Sequence, residues 1–161
     1  MNTLTLYLSL TFRMCSFLFV IAPLLDKSFG ADEDRITLIE SIVKDSELFR
    51  GSAEKSVSEK VSDPRIVLEL KQYIQVIRGN ELHLAMILKS VRRPANKEKG
   101  FTEKDRTEVL DAAAVIYRFS KKIVSTSVLS SDPTLVDYNA RLAAKILKLD
   151  EPKGQRYDSE R

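Results

Sequence analysis

His83 and Met86 are the residues whose types and spacing could bind a metal ion. Imidazole nitrogen and thioether sulfur are both ligands for soft or borderline metals such as copper. On a helix, two ligands three residues apart reach an ion from one side only, so they cannot hold a haem between opposite faces. The chain also has no Cys-x-x-Cys-His motif to attach one. The pair is therefore a weak metal candidate, and the alternative is a partly exposed His beside a core Met.

The numbers of His and Cys exclude larger metal centres. The 161 residues include one His and one Cys. A carboxylate-bridged di-iron centre needs paired Glu-x-x-His motifs, and structural zinc sites need four Cys or His ligands. A single Cys also excludes a disulfide framework. We expect no cofactor.

Carboxylates and hydroxyls are frequent, but their spacing indicates no catalytic site. Glu40 and Glu47 lie two turns apart and could share a helix face. A glycosidase needs one carboxylic acid with a raised pKa in an apolar pocket, opposite a second carboxylate across a cleft, and nothing marks such a cleft. Serines lie in caps and linkers, with no Gly-x-Ser-x-Gly motif or Cys-His set. The sequence predicts a protein that is not an enzyme.

Basic residues are concentrated between positions 89 and 106. This segment has seven basic and three acidic residues, whereas the whole chain has a formal charge of +3. Part of the charge has a structural explanation, because cations stabilise the C-terminal end of a helix. The functional interpretation is contact with an acidic partner or an anionic membrane surface, and not with nucleic acid, because no aromatic residues alternate with the charges. The candidate partner-binding residues are Arg92, Arg93, Lys97, Lys99, Lys104 and Arg106.

Amphipathic helices are the elements that must carry these residues. Apolar residues recur at helical spacing over 34–49, and Gly51 follows where a left-handed cap would be needed. Residues 51–62 are rich in Ser and charge, which predicts a linker with room for some helix. The next helix begins at Pro64, after an Asp that can cap it, and its apolar face continues in phase through Gly79. The spacing predicts one long central helix over about 64–93.

Two further helices complete the predicted fold. One begins at Thr102, with Asp105 at the reciprocal capping position, and its apolar face extends to Val128. The other begins at Pro133, again after an Asp, and extends to Leu149. No segment has the two-residue period of a strand, and the connections are short. The sequence therefore predicts an all-α four-helix bundle that is mostly antiparallel.

The N-terminal region resembles a targeting segment. Arg13 is the only charged residue in the first 25, and an apolar run over 14–25 follows it. This order predicts a secretory signal peptide over 1–30, with the mature chain beginning near Asp32. The alternatives are an uncleaved anchor formed by residues 4–25 and a cytosolic protein whose start is assigned wrongly.

The predicted organisation is a signal peptide, a single helical-bundle domain over 32–150 and a disordered tail over 151–161. A mature domain of this size without Cys is more typical of a bacterial periplasm than of disulfide-dependent secretion. We expect an exported, periplasmic or secreted protein that binds another protein of the cell envelope, as an accessory, inhibitor or immunity-type module. The alternative is a carrier of a small ligand or metal in the bundle core.

Overall fold

The computed structural model describes residues 33–93, 96 and 100–150, apart from the side chain of residue 150. Its contacts divide the chain into one unit over 1–35 and a second over 36–161, and all the contacts between helices described below lie within the second. The predictions of a signal peptide or anchor over 1–30 and of a disordered tail over 151–161 lie outside the described residues.

The described residues form four α-helices and no strand. Helix α1 comprises residues 33–60. It is followed by α2 (Pro64–Val91), α3 (Glu103–Val124) and α4 (Pro133–Asp150). The helices pack against each other as a bundle, which confirms the predicted all-α four-helix fold.

Each helix is antiparallel to its two neighbours, in the order α1, α2, α3, α4 and back to α1. Residues early in one helix contact residues late in the next, as up-down-up-down topology requires. The contacts that establish this order are Glu40 with Arg92 and Ser46 with Glu81 (α1 and α2), Tyr73 with Phe119 and His83 with Glu108 (α2 and α3), Ser120 with Asn139 (α3 and α4), and Asp45 with Lys145 and Lys60 with Asp132 (α1 and the α4 region).

Helix α2 is continuous through Gly79, as the phase of its apolar face predicts. Ile77 and Leu84, on either side of this glycine, are both completely buried. The helix ends at Val91, slightly before the predicted end, and the N–H of Arg92 closes it by bonding to the Leu88 carbonyl. The core around this face is aliphatic, so its stability comes mainly from removing apolar surface from water.

The predicted linker after Gly51 was wrong. Residues 51–60 continue α1 as a helix, and Gly51 lies inside it rather than at its end. Ala53 and Val57 are both buried, one turn apart, and Ser56 beside them is buried as well. Few apolar residues mark this buried face, so its composition resembles that of a linker although its spacing is helical.

The helix starts agree with their predicted caps. The Asp63 side chain accepts a hydrogen bond from the N–H of Arg65 at the start of α2. Thr102 and Asp105 form a reciprocal capping box at the start of α3. Helix α3 ends at Val124, so the predicted extension of its apolar face to Val128 was wrong, and Val128 is exposed.

Candidate functional site

A groove of about 660 Å³ lies between α1 and α2, near the start of α1 and the end of α2. Residues spaced three and four apart on each helix line it, because this spacing places side chains on one helix face. The lining residues are Glu40, Val43, Lys44 and Glu47 of α1 and Ala85, Leu88, Lys89, Arg92 and Arg93 at the end of α2.

The floor of the groove is apolar. Val43 is half-buried, and Leu88 is 7% exposed. Ala85 lies beside them and is exposed, and its short side chain leaves space between the two helices. A ligand that covers this floor would therefore gain free energy by removing apolar surface from water.

The rim of the groove is predominantly cationic. Arg92 Nη1 lies 2.6 Å from Glu40 Oε1, and this ion pair connects α2 to α1. Lys44, Lys89 and Arg93 are exposed and form no ion pair within the part of the chain that the structure describes. Their charge is available to a ligand. Of the two carboxylates that line the groove, Glu40 is paired with Arg92, and Glu47 opposes the remaining cations.

A buried polar cluster fixes α1 against α2 beside this groove. Glu81 is 4% exposed and accepts hydrogen bonds from Ser46 Oγ at 2.7 Å and Arg50 Nε at 2.9 Å. Burial lowers the pKa of the Arg50 guanidinium, but the hydrogen bonds and charges of Glu81 and Glu54 outweigh it and raise that pKa above its ordinary value. Because the cluster joins two helices through directed bonds, it sets their register at the groove.

The structure divides the predicted basic cluster. Arg92 and Arg93 line the groove, together with Lys89. Lys104 and Arg106 lie in the first turn of α3 and form ion pairs within that helix, at 3.6 Å to Glu108 and 3.9 Å to Glu103 respectively. Lys97 and Lys99 lie outside the described residues.

Sequence reasoning missed the α1 side of the groove. Lys44 and Val43 contribute to it only because α1 pairs with the end of α2, more than forty positions along the chain. Glu40 and Glu47 do share a face, as their spacing indicates, and both line the groove. Each of these carboxylates is exposed rather than enclosed in an apolar pocket.

His83 and Met86 occupy different surroundings. His83 Nε2 lies 3.7 Å from Glu108 Oε2 of α3, and the imidazole is partly exposed as expected. Met86 is 63% exposed, so the prediction of a core Met was wrong. Nearby, the buried face of α2 is formed by residues 84, 87 and 88, so residue 86 lies on the exposed side of the helix. Within the described ranges, no three or more His, Cys, Asp or Glu side chains cluster closely enough to hold a metal ion.

None of the helices in the described part of the chain combines the length and apolar character needed to cross a membrane. Comparisons with protein-family models, with curated proteins and with solved structures find no match to this chain.

Proposed function

We propose that the protein is a non-catalytic binding module of the cell envelope, and that it holds an acidic amphipathic segment of a partner protein in the groove between α1 and α2. One observation carries this proposal, namely the combination of an apolar floor at Val43 and Leu88 with the unpaired cations Lys44, Lys89 and Arg93 on the rim.

The two parts of the groove would act on different parts of such a segment. Apolar side chains of a partner helix, spaced three or four residues apart, would cover Val43, Ala85 and Leu88, as in other helix-in-groove complexes. Carboxylates flanking that apolar stripe would reach Lys89 and Arg93. The apolar contact would position the segment on the groove floor, whereas the charges would raise the association rate and exclude basic segments.

Location in the envelope is part of the proposal and rests on the N-terminal sequence. The apolar run over 14–25 after Arg13 supports export through a signal peptide. N-terminal sequencing of the protein from fractionated cells should find a chain that begins within a few residues of Asp32. Intact Met1 on soluble cytosolic protein would contradict the export part of the proposal without affecting the groove.

Photo-cross-linking in living cells tests the groove directly. A photoreactive amino acid replaces Ala85, which is exposed on the groove floor, and in a matched control it replaces Ala114, which is exposed on α3. We expect one discrete protein adduct from position 85 that is absent from position 114. Equal adducts from both positions, or none from position 85, would contradict binding in the groove.

A charge-reversal pair tests the role of the rim. Lys89→Glu with Arg93→Glu changes the groove, and Arg118→Glu with Lys121→Glu makes the same change of net charge on the exposed face of α3. We expect the first variant to lose the adduct at position 85 and the second to retain it. If stoichiometric metal or a small molecule accompanies the purified protein instead, the carrier alternative replaces this proposal.

A further inference from the structure

The outward face of α4 carries an exposed apolar stripe between positions 136 and 147. Val136 and Leu147 are 42% and 69% exposed, and Ala140 and Ala144 between them are also exposed. Their spacing of three and four residues places them in one stripe on the helix. The outward face of α3 differs, since it carries the charged residues Lys104, Asp111, Arg118 and Lys121.

Two opposite charges lie on one flank of this stripe, near its two ends. Asp137 and Lys148 are eleven residues apart, or about three helical turns, and both are exposed. Arg141 lies between them, pairs with Asp137 and places its guanidinium 4.8 Å from the centre of the Tyr138 ring. Lys148 forms no ion pair within the described residues.

We infer that α4 packs antiparallel against α4 of a second copy of this chain, about a two-fold axis near positions 141 and 142. This arrangement places Val136 opposite Leu147 of the partner subunit and Ala140 opposite Ala144 of the partner subunit. In antiparallel helices the same flanks face each other, so Asp137 meets Lys148 of the partner subunit, while Arg141, close to the axis, stays paired with Asp137 of its own copy. The two-fold axis repeats that ion pair, as in any isologous interface.

The size of the stripe sets the strength of this dimer. The alanines allow the helix axes to approach within about 8–10 Å. However, the stripe spans only about three turns, so it buries less than the roughly 1,200–2,000 Å² of total surface typical of stable interfaces. The dimer is therefore weak and reversible, with a dissociation constant in the micromolar range or above. None of the groove residues belongs to α4, so both copies keep an open groove.

Complementary charge reversal tests the inference by sedimentation velocity on the full-length gene product, purified as the cell processes it. Asp137→Lys leaves only Lys opposite Lys in its homodimer, and Lys148→Asp leaves only Asp opposite Asp. We expect each variant alone to dimerise at least about tenfold more weakly than the wild type. An equimolar mixture of the two restores both ion pairs and should recover the wild-type dimer.

Two further substitutions distinguish this face from others. Leu147→Lys on α4 should abolish the dimer, whereas Leu82→Lys on the exposed face of α2 should leave it unchanged. Both side chains are exposed, so circular dichroism should show an unchanged fold. Three results would overturn the inference. The first is a wild-type protein that stays monomeric up to about 1 mM, and the second is a mixture that does not recover the dimer. The third is a dimer that Leu82→Lys abolishes and Leu147→Lys retains.

Discussion

The hydroxyl of Ser56 donates a 2.7 Å hydrogen bond to Oδ2 of Asp132, 76 residues further along the chain. Lys60 Nζ lies 2.8 Å from the same oxygen. The other carboxylate oxygen accepts the backbone N–H groups of Thr134 and Leu135 at the start of α4. One buried carboxylate thus caps α4 and joins it to the last turns of α1.

We predict that Asp132→Ala lowers the free energy of unfolding by about 2–4 kcal/mol, because it removes a helix cap and leaves Ser56 without its buried acceptor. Asp63→Ala is the matched control. Asp63 caps α2 in the same way but is exposed, so its loss should cost about 1 kcal/mol. Urea unfolding of both variants measures the difference, and equal losses would show that the contact with α1 contributes nothing.

Asp132 also predicts a specific loss of stability in acid. The hydrogen bond from Lys60, followed by that from Ser56, lowers the pKa of Asp132 from 3.8 to about 2. The folded protein therefore holds this proton less tightly than the unfolded chain. The resulting stabilisation is complete above the unfolded pKa and disappears as the pH falls through the folded one.

Urea unfolding of wild type and Asp132→Ala between about pH 5 and pH 2 measures this effect. We expect the difference in unfolding free energy between the two proteins to narrow steadily as the pH falls across that range. If the difference in unfolding free energy between wild type and Asp132→Ala did not change with pH, this would contradict the lowered pKa of Asp132.

The buried carboxylate of Glu81 on α2 bonds to two residues of α1 and thereby fixes the register of these helices. We predict that Glu81→Ala lowers the unfolding free energy by about 2–4 kcal/mol, because Ser46 and the partly buried Arg50 lose their acceptor. Replacing Glu81 and Arg50 together by Leu should cost less than Glu81→Ala alone, since no unpaired charge is left behind. A double-mutant cycle completed by the single variants Glu81→Leu and Arg50→Leu measures the coupling between the two side chains, and purely additive losses would contradict it.

Local chemistry explains what the sequence could predict. The side chains of Asp63, Thr102 and Asp132 bond to backbone groups within three residues, so the starts of α2, α3 and α4 were readable from short patterns. The continuity of α2 through Gly79 was readable because apolar residues on either side share one phase. The capping pattern and the phase of the apolar residues each depend on residues of one helix and its cap.

Contacts between helices explain what the sequence could not predict. Carboxylates are almost never fully buried unless they are paired, so the burial of Glu81 became evident only once Ser46 and Arg50 were placed beside it. The groove likewise needs Lys44 and Lys89 on two helices, and no local pattern relates them. The basic run over 89–106 identified one wall of the groove and included residues that belong to α3.

Replacing glycine by alanine should change the unfolding free energy in opposite directions at different positions of this chain. Gly51 and Gly79 lie inside α1 and α2, and a Cβ added at either would find nothing within 4 Å beyond its chain neighbours and the nearby backbone of its own helix. Gly51→Ala and Gly79→Ala should each raise the unfolding free energy by about 0.5–1 kcal/mol, because alanine loses less backbone entropy in a helix. Gly100 is the control, since its φ of 59° is left-handed, and Gly100→Ala should cost about 1–2 kcal/mol. Thermal unfolding of the three variants is the measurement. Destabilisation by Gly51→Ala would restore the interpretation of Gly51 as a left-handed cap and would contradict the continuation of α1 to residue 60.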